Sequence, residues 1–289
     1  MKYIVKNIVQ MANDWDEYID PTGLALRCLT KTNRYDNSLK FPRPDPKGTD
    51  INMMPFIMNG RFERTKLPQY LYRYWPLINT VFYKDSSQWG KICYLTIHES
   101  FVKKGYSQRR PGLHVESPGN IKLSKDQLSD KDPLKEYIFS DIKEFSSSYN
   151  ICAGWGRGDN QGKGGIYMAS SVDHSCIAWN CRIIANDEKD NNMDSIGDLG
   201  DVEHLRGNLA DDKMMILEKN KLYWITDRTP HCVLPMDHDG NRQFFRIVTH
   251  ELSLWYEQHC TKNPNGVIPD PKITRIIKTD KFDNNQSCK

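Results

Sequence analysis

Two histidines, one glutamate and one arginine carry the chemistry that this chain's residue types permit. His114 and Glu116 stand two apart within residues 109–119 (RRPGLHVESPG), and His231 follows the apolar run LYWIT that starts at Leu222. Residues i and i+2 of a strand point the same way, so His114 and Glu116 can address one point from one strand. Two neutral imidazoles and a carboxylate on one face of a metal ion leave its other positions open, a donor set that suits non-haem ferrous iron. Arg242 heads RQFFRIVTHELSLW directly after Asp239-Gly240-Asn241, and its guanidinium fork can grip a carboxylate through two parallel hydrogen bonds. Arg246 shares the strand face of Arg242 and is the second choice for that task.

Each of these residues also has a plainer use. His114 can bridge backbone groups in a Pro-Gly turn, Glu116 can be a solvated carboxylate, and a buried Arg242 can pair with an aspartate of the chain itself. With 8 His and 37 acidic residues in 289 positions, roughly one His-x-acid pair is expected by chance, and the chain has one. The pair alone therefore decides nothing. The linkage of His231 to an arginine across a glycine turn carries more weight.

Strands must position these groups. LYWIT and residues 242–255 are rich in β-branched and aromatic residues, as are residues 90–98 (GKICYLTIH), 166–171 (IYMASS) and 176–184 (CIAWNCRII). The last two, joined by Val172-Asp173-His174-Ser175, are expected to pair. Gly105 marks a turn before the His-x-Glu stretch. Residues 67–82 (LPQYLYRYWPLINTVF) suit a helix that lays its aromatic face on a sheet. A second helix is expected from Pro133 to Phe145, with Leu134, Tyr137, Ile138 and Ile142 on one face. Residues 155–165 (WGRGDNQGKGG) precede no helix signal, so they are a flexible loop, not a phosphate cradle. Trp155 and Arg157 in that loop, and Arg109 and Arg110 before the His-x-Glu pair, are the weaker candidates for contact with a substrate.

Strand clusters with few helices predict a mainly β fold with flanking helices, in a single domain over residues 1–289. Residues 1–66, broken by Pro42, Pro44, Pro46 and Gly48, are expected to form an N-terminal elaboration. Residues 67–256 form the core, with a helical insertion near 121–149, and residues 257–289 a C-terminal extension. The charge of +3 is balanced and interspersed, which gives no electrostatic case for a nucleic-acid binder. No run of about 18 apolar residues is present, so no membrane span is expected. The eight cysteines form no CxxC motif, and no signal peptide is evident, which predicts reduced thiols and a cytoplasmic location.

His114, Glu116, His231 and Arg242 together resemble the pattern of the Fe(II)- and 2-oxoglutarate-dependent oxygenases, over about residues 90–256. The resemblance implies a double-stranded β-helix, a jelly-roll or cupin-like barrel. It implies Fe(II) bound by His114, Glu116 and His231, with Arg242 (or Arg246) on the far carboxylate of 2-oxoglutarate. The implied reaction consumes O2, hydroxylates or desaturates a substrate, more readily a small molecule than a protein, and releases succinate and CO2. Glu116 stands where aspartate is commoner in that family. The long interval from Glu116 to His231 requires an insertion. Two alternatives from other classes are a cupin-like metalloenzyme that does not use 2-oxoglutarate and a non-catalytic β-barrel.

Overall fold

The computed structural model describes residues 19–20, 25–30, 38–116, 119–124, 127–128, 148–153, 165–183 and 196–282. In chain order the strands begin with β1 (Ile19–Asp20), β2 (Leu26–Cys28) and β3 (Thr49–Ile57). Helix α1 (Trp75–Lys84) precedes β4 (Ile92–Val102), β5 (Gly119–Ser124), β6 (Ser148–Ala153) and β7 (Ile166–Ser170). Then come β8 (Cys176–Trp179), β9 (Arg182–Ile183), β10 (Met214–Ile216), β11 (Tyr223–Ile225) and β12 (His231–Val233). The described chain closes with β13 (Gly240–Val248), β14 (Leu254–Tyr256) and β15 (Arg275–Ile277).

The fold is mainly β, with antiparallel sheets and a few helices. A six-stranded sheet runs in the order β2-β11-β7-β13-β4-β3, and a three-stranded sheet in the order β10-β8-β12. Strand β13 is central, paired with β4 on one side and β7 on the other. Its sequence shows no hydrophobic-polar alternation because both of its faces are covered. Phe245 and Ile247 point outward with Leu95, Ile97 and Phe56, under Leu77, Ile78 and Val81 of α1. Helix α1 is amphipathic at helical spacing, and Pro76 sits in its first turn, where a missing N–H costs nothing. It is preceded by a 3₁₀ segment at Gln69–Tyr74, so the expected helix begins as tighter turns.

Phe244 and Val248, on the opposite face of β13, pack with Tyr94, Met168 and Ile166 against Ala178 of the small sheet. The two sheets thus share one apolar layer. Behind the small sheet, Trp179, Cys181 and Cys232 pack with Leu113, Val115 and Leu205. Trp179 is core, and Asn180 uses its Oδ1 to accept from the amides of Ala25 and Leu26, 2.9 Å each.

The chain order differs from the expected one in three places. Strands β7 and β8 do not pair: β7 lies in the large sheet and β8 in the small one. The intervening residues 171–175 carry the chain between layers, with His174 at a φ of 53°. Residues 226–230 make a second crossing, so β11 and β12 also belong to different sheets. Part of the expected N-terminal elaboration is built into the large sheet, where β2 pairs with β11 and β3 forms the edge beside β4. Strand β3 was illegible because a bulge between Ile51 and Met54, with Met53 at a φ of 49°, breaks its alternation. The expected helical insertion begins and ends as strand, since β5 pairs with β6. The helix expected at 133–145 lies outside the described residues.

Gly105 turns as expected, with a φ of 80° that suits a residue lacking Cβ. Among the described residues no helix is long and apolar enough to cross a membrane. Cys28, Cys93, Cys176, Cys181, Cys232 and Cys260 are free thiols.

Candidate functional site

A cavity of about 130 Å³ lies between the sheets, walled by His114, Glu116 and His231 on one side and Met168, Arg242 and Phe244 on the other. A second cavity of about 120 Å³ adjoins it. Arg109, Glu116, His259 and Lys281 line both.

His231 opens β12, where its pairing with Ala178 fixes its side chain on the inner face of the small sheet. The turn before it is pinned by buried hydroxyls. Thr229 accepts at Oγ1 from the Thr226 amide at 2.9 Å and lies 2.8 Å from the carbonyl oxygen of Ala25. His114 is bridged directly to His231: each amide donates to the other's carbonyl at 3.0 Å. Such an exchanged pair places both side chains on the same face. Their rings lie 4.5 Å apart, tilted by 54°.

Both imidazoles are oriented in the same way. Nδ1 of His114 lies 2.9 Å from the Gly112 carbonyl oxygen, and Nδ1 of His231 lies 2.9 Å from that of Thr229. A carbonyl only accepts, so each Nδ1 carries the proton and each Nε2 keeps its lone pair. Burial keeps the rings neutral: it pushes His114 down to about 3, aided by the neighbouring His231, and it also lowers His231. Neutral imidazoles with Nδ1 held by carbonyls are the form in which histidine binds a metal through Nε2.

Glu116 is held by its amide, which donates to the Asp227 carbonyl at 3.0 Å. Burial alone would raise its carboxyl, but Arg246, and after it His231, Lys281 and His114, hold it well below the usual carboxylate range. Arg246 bonds Oε1 of Glu116 through Nη1 and reaches Thr96 Oγ1 through Nη2 at 3.2 Å. Arg246 is therefore the ion-pair partner of Glu116, although its buried Nε makes no hydrogen bond.

Arg242 is the opposite case. Only 2% of it is exposed, its Nε donates to Ser170 Oγ at 3.3 Å, and its buried Nη1 has no hydrogen-bond partner. Among the described residues no carboxylate pairs with it, and burial pushes its guanidinium down to about 10, with Cys176 nearby. Leaving a charged donor unsatisfied in a buried site is costly, and an anion entering the cavity would relieve that cost.

Arg109 is placed by its neighbour Gln108, whose Nε2 donates to the Arg242 carbonyl and to Ser100 Oγ, 2.9 Å each. Its guanidinium stands 4.7 Å from the centre of the Phe244 ring. Arg110 lines the first cavity and donates to the Leu199 carbonyl at 3.0 Å. Trp155 and Arg157 lie outside the described residues. Phe244, His259 and Lys281 also line the walls; of these, the sequence pointed to His259 as a residue near the mouth and to neither of the others. Phe244 was findable, because alternation along β13 places it between Arg242 and Arg246. Lys281 carries no motif, and only the fold brings it here.

Against expectation, no three His, Cys, Asp or Glu side chains among the described residues are arranged, as they stand, to hold a metal ion. Arg246 draws the Glu116 carboxylate toward the large sheet and leaves Oε1 at 3.9 Å from His231 Nε2. Donors on one face of an ion bonded at about 2.1 Å stand about 3 Å apart. The donor chemistry fits: two free Nε2 atoms and an ionised carboxylate border one cavity. No protein-family model matches the chain, and no curated protein matches it either.

Proposed function

We propose that the chain is an Fe(II)- and 2-oxoglutarate-dependent dioxygenase that hydroxylates or desaturates a small molecule within a double-stranded β-helix. The observation that carries this is the buried, unpaired Arg242 on the same cavity as His114, Glu116 and His231. A metal ligand set explains the imidazoles and the carboxylate, but not a buried cation facing them. A diacid cosubstrate accounts for both. The two facing sheets, joined by chain crossings at residues 171–175 and 226–230, support the barrel.

His114, Glu116 and His231 would hold the ion, and ferrous iron bound there would supply the oxygen-activating centre. The chain's own residues bind and orient. Arg242 receives the far carboxylate of 2-oxoglutarate in its fork, and Phe244 and Met168 exclude water beside it. The carbonyls of Gly112 and Thr229 keep the Nδ1 protons, so ligation at Nε2 releases none. Glu116 would offer the ion a carboxylate oxygen while keeping Arg246 as its partner. With Glu116 as a protein carboxylate ligand, no coordination position would be left for chloride, so chlorination is not expected.

One observation favours a second reading, a barrel that binds an anion without a metal: Glu116 is already engaged by Arg246. The test is anaerobic purification of the full chain with ferrous iron, followed by 2-oxoglutarate and oxygen. Near-stoichiometric iron and iron-dependent succinate formation are expected. Tight 2-oxoglutarate binding with no retained iron, unchanged in His231→Ala, would give the second reading instead.

A further inference from the structure

We propose that the substrate is itself an anion with an apolar body, its charged end held by Arg109 and Lys281 on the wall common to the two cavities. This rests on the assignment of Arg242 to the cosubstrate.

The two cavities are lined by five cationic side chains, Arg109, Arg110, Arg242, Arg246 and Lys281, and by one carboxylate, Glu116. Arg246 neutralises Glu116, Arg242 takes the cosubstrate, and Arg110 is spread toward Leu199 at the exposed rim. Arg109 and Lys281 remain. Among the described residues neither forms an ion pair, and the acid next to Lys281, Asp280, instead stands 3.6 Å from Nδ1 of His259. Burial lowers the basicity of both, that of Arg109 to about 10, a cost that an anion would relieve. Phe244 braces the Arg109 guanidinium from one side, as expected of a preset anion receptor.

The chamber beyond this wall sets the rest of the molecule. Met53, Leu252, Leu254, Tyr256 and Cys260 give the second cavity an apolar stretch, beside Asn52 and Ser253, with room for a ring or short chain. A small carboxylate or phosphomonoester with an aromatic or aliphatic body satisfies both surfaces. A neutral substrate would leave two cations uncompensated.

The test is calorimetric titration of the full chain, without oxygen and with saturating 2-oxoglutarate, using phenylacetate, phenyl phosphate and benzyl alcohol as probes. At least one anion is expected to bind, at least about tenfold tighter than benzyl alcohol, since a charge-assisted contact is worth that much. The tighter anion identifies carboxylate or phosphate as the group recognised. Arg109→Gln and Lys281→Met should each weaken it about tenfold, while Arg109→Lys loses less. Far-ultraviolet circular dichroism checks that each variant is folded, and Lys281→Met stands as the test if Arg109→Gln does not fold. Failure of both anions to bind, equal binding of benzyl alcohol, or binding unchanged in Arg109→Gln and Lys281→Met would overturn the proposal. If the chain binds neither iron nor 2-oxoglutarate but still binds phenylacetate through Arg109 and Lys281, the dioxygenase reading falls and the anion site stands.

Discussion

His114 and His231 exchange two backbone hydrogen bonds of 3.0 Å, so two imidazoles far apart in sequence share one face as nearest neighbours. Their closeness is set by main chain rather than by side-chain contacts. His114→Ala and His231→Ala should therefore keep the fold while losing the ligand. Iron affinity is expected to fall more than about 100-fold in each, beyond the 10–100-fold typical of outer-shell partners. Iron content and melting temperature, measured on the same preparations, check both halves.

Arg242→Met should weaken 2-oxoglutarate binding about 10–100-fold, the loss of a charge-assisted pair. Its melting temperature should equal or exceed that of the native protein, because a buried unpaired cation is replaced by an apolar chain of similar length. An arginine kept for stability would behave in the reverse way. Thermal unfolding and equilibrium titration together separate the two.

Arg246→Met, one step along the same face, should do the opposite. It leaves the Glu116 carboxylate buried without its main partner, and a loss of about 3–5 kcal/mol is expected. Adding Glu116→Gln should recover much of that loss, as coupled neighbours do in a double-mutant cycle. Urea unfolding of the four proteins gives the coupling.

Glu99 supplies a pH dependence remote from the cavity. Burial would raise its carboxyl, but hydrogen bonds from Tyr74, Thr49 and Gln243, together with the Arg73 charge, bring it below its ordinary 4.5. The Tyr74 hydroxyl and the Gln243 amide donate to it, each at 2.6 Å. A carboxyl depressed in the folded state binds fewer protons than when unfolded, so its stabilisation is complete above about pH 4.5 and is lost as pH falls further. In Glu99→Gln the fall of melting temperature below pH 4.5 should be shallower. An unchanged acid limb would exclude Glu99 as its source.

Much of this was legible before the structure. Aromatic and β-branched runs located β4, β7, β11 and β13, and the aromatic-rich stretch 67–82 located α1. Strand β3 escaped because its bulge defeats a period of two, and the crossing at residues 171–175 escaped because a short polar link is common to hairpins and corners alike. Within the site, alternation placed Arg242 and Arg246 on one face. Which of them would meet Glu116 depends on the stagger between the sheets, a three-dimensional quantity without a local signature. Lys281 depends on it too, since it arrives from beyond β15.

Strand β13 presents Arg242, Phe244 and Arg246 to the cavity and Gln243, Phe245 and Ile247 to the layer beneath α1. Every residue in that run thus answers to two neighbours, one chemical and one architectural, and a slip of a single position would exchange them. Evolution has little freedom there. Descendants of this chain that turn to new substrates should keep the strand and diverge in the segments around Arg109 and Lys281, where side chains border the cavity outside the apolar layer between the sheets.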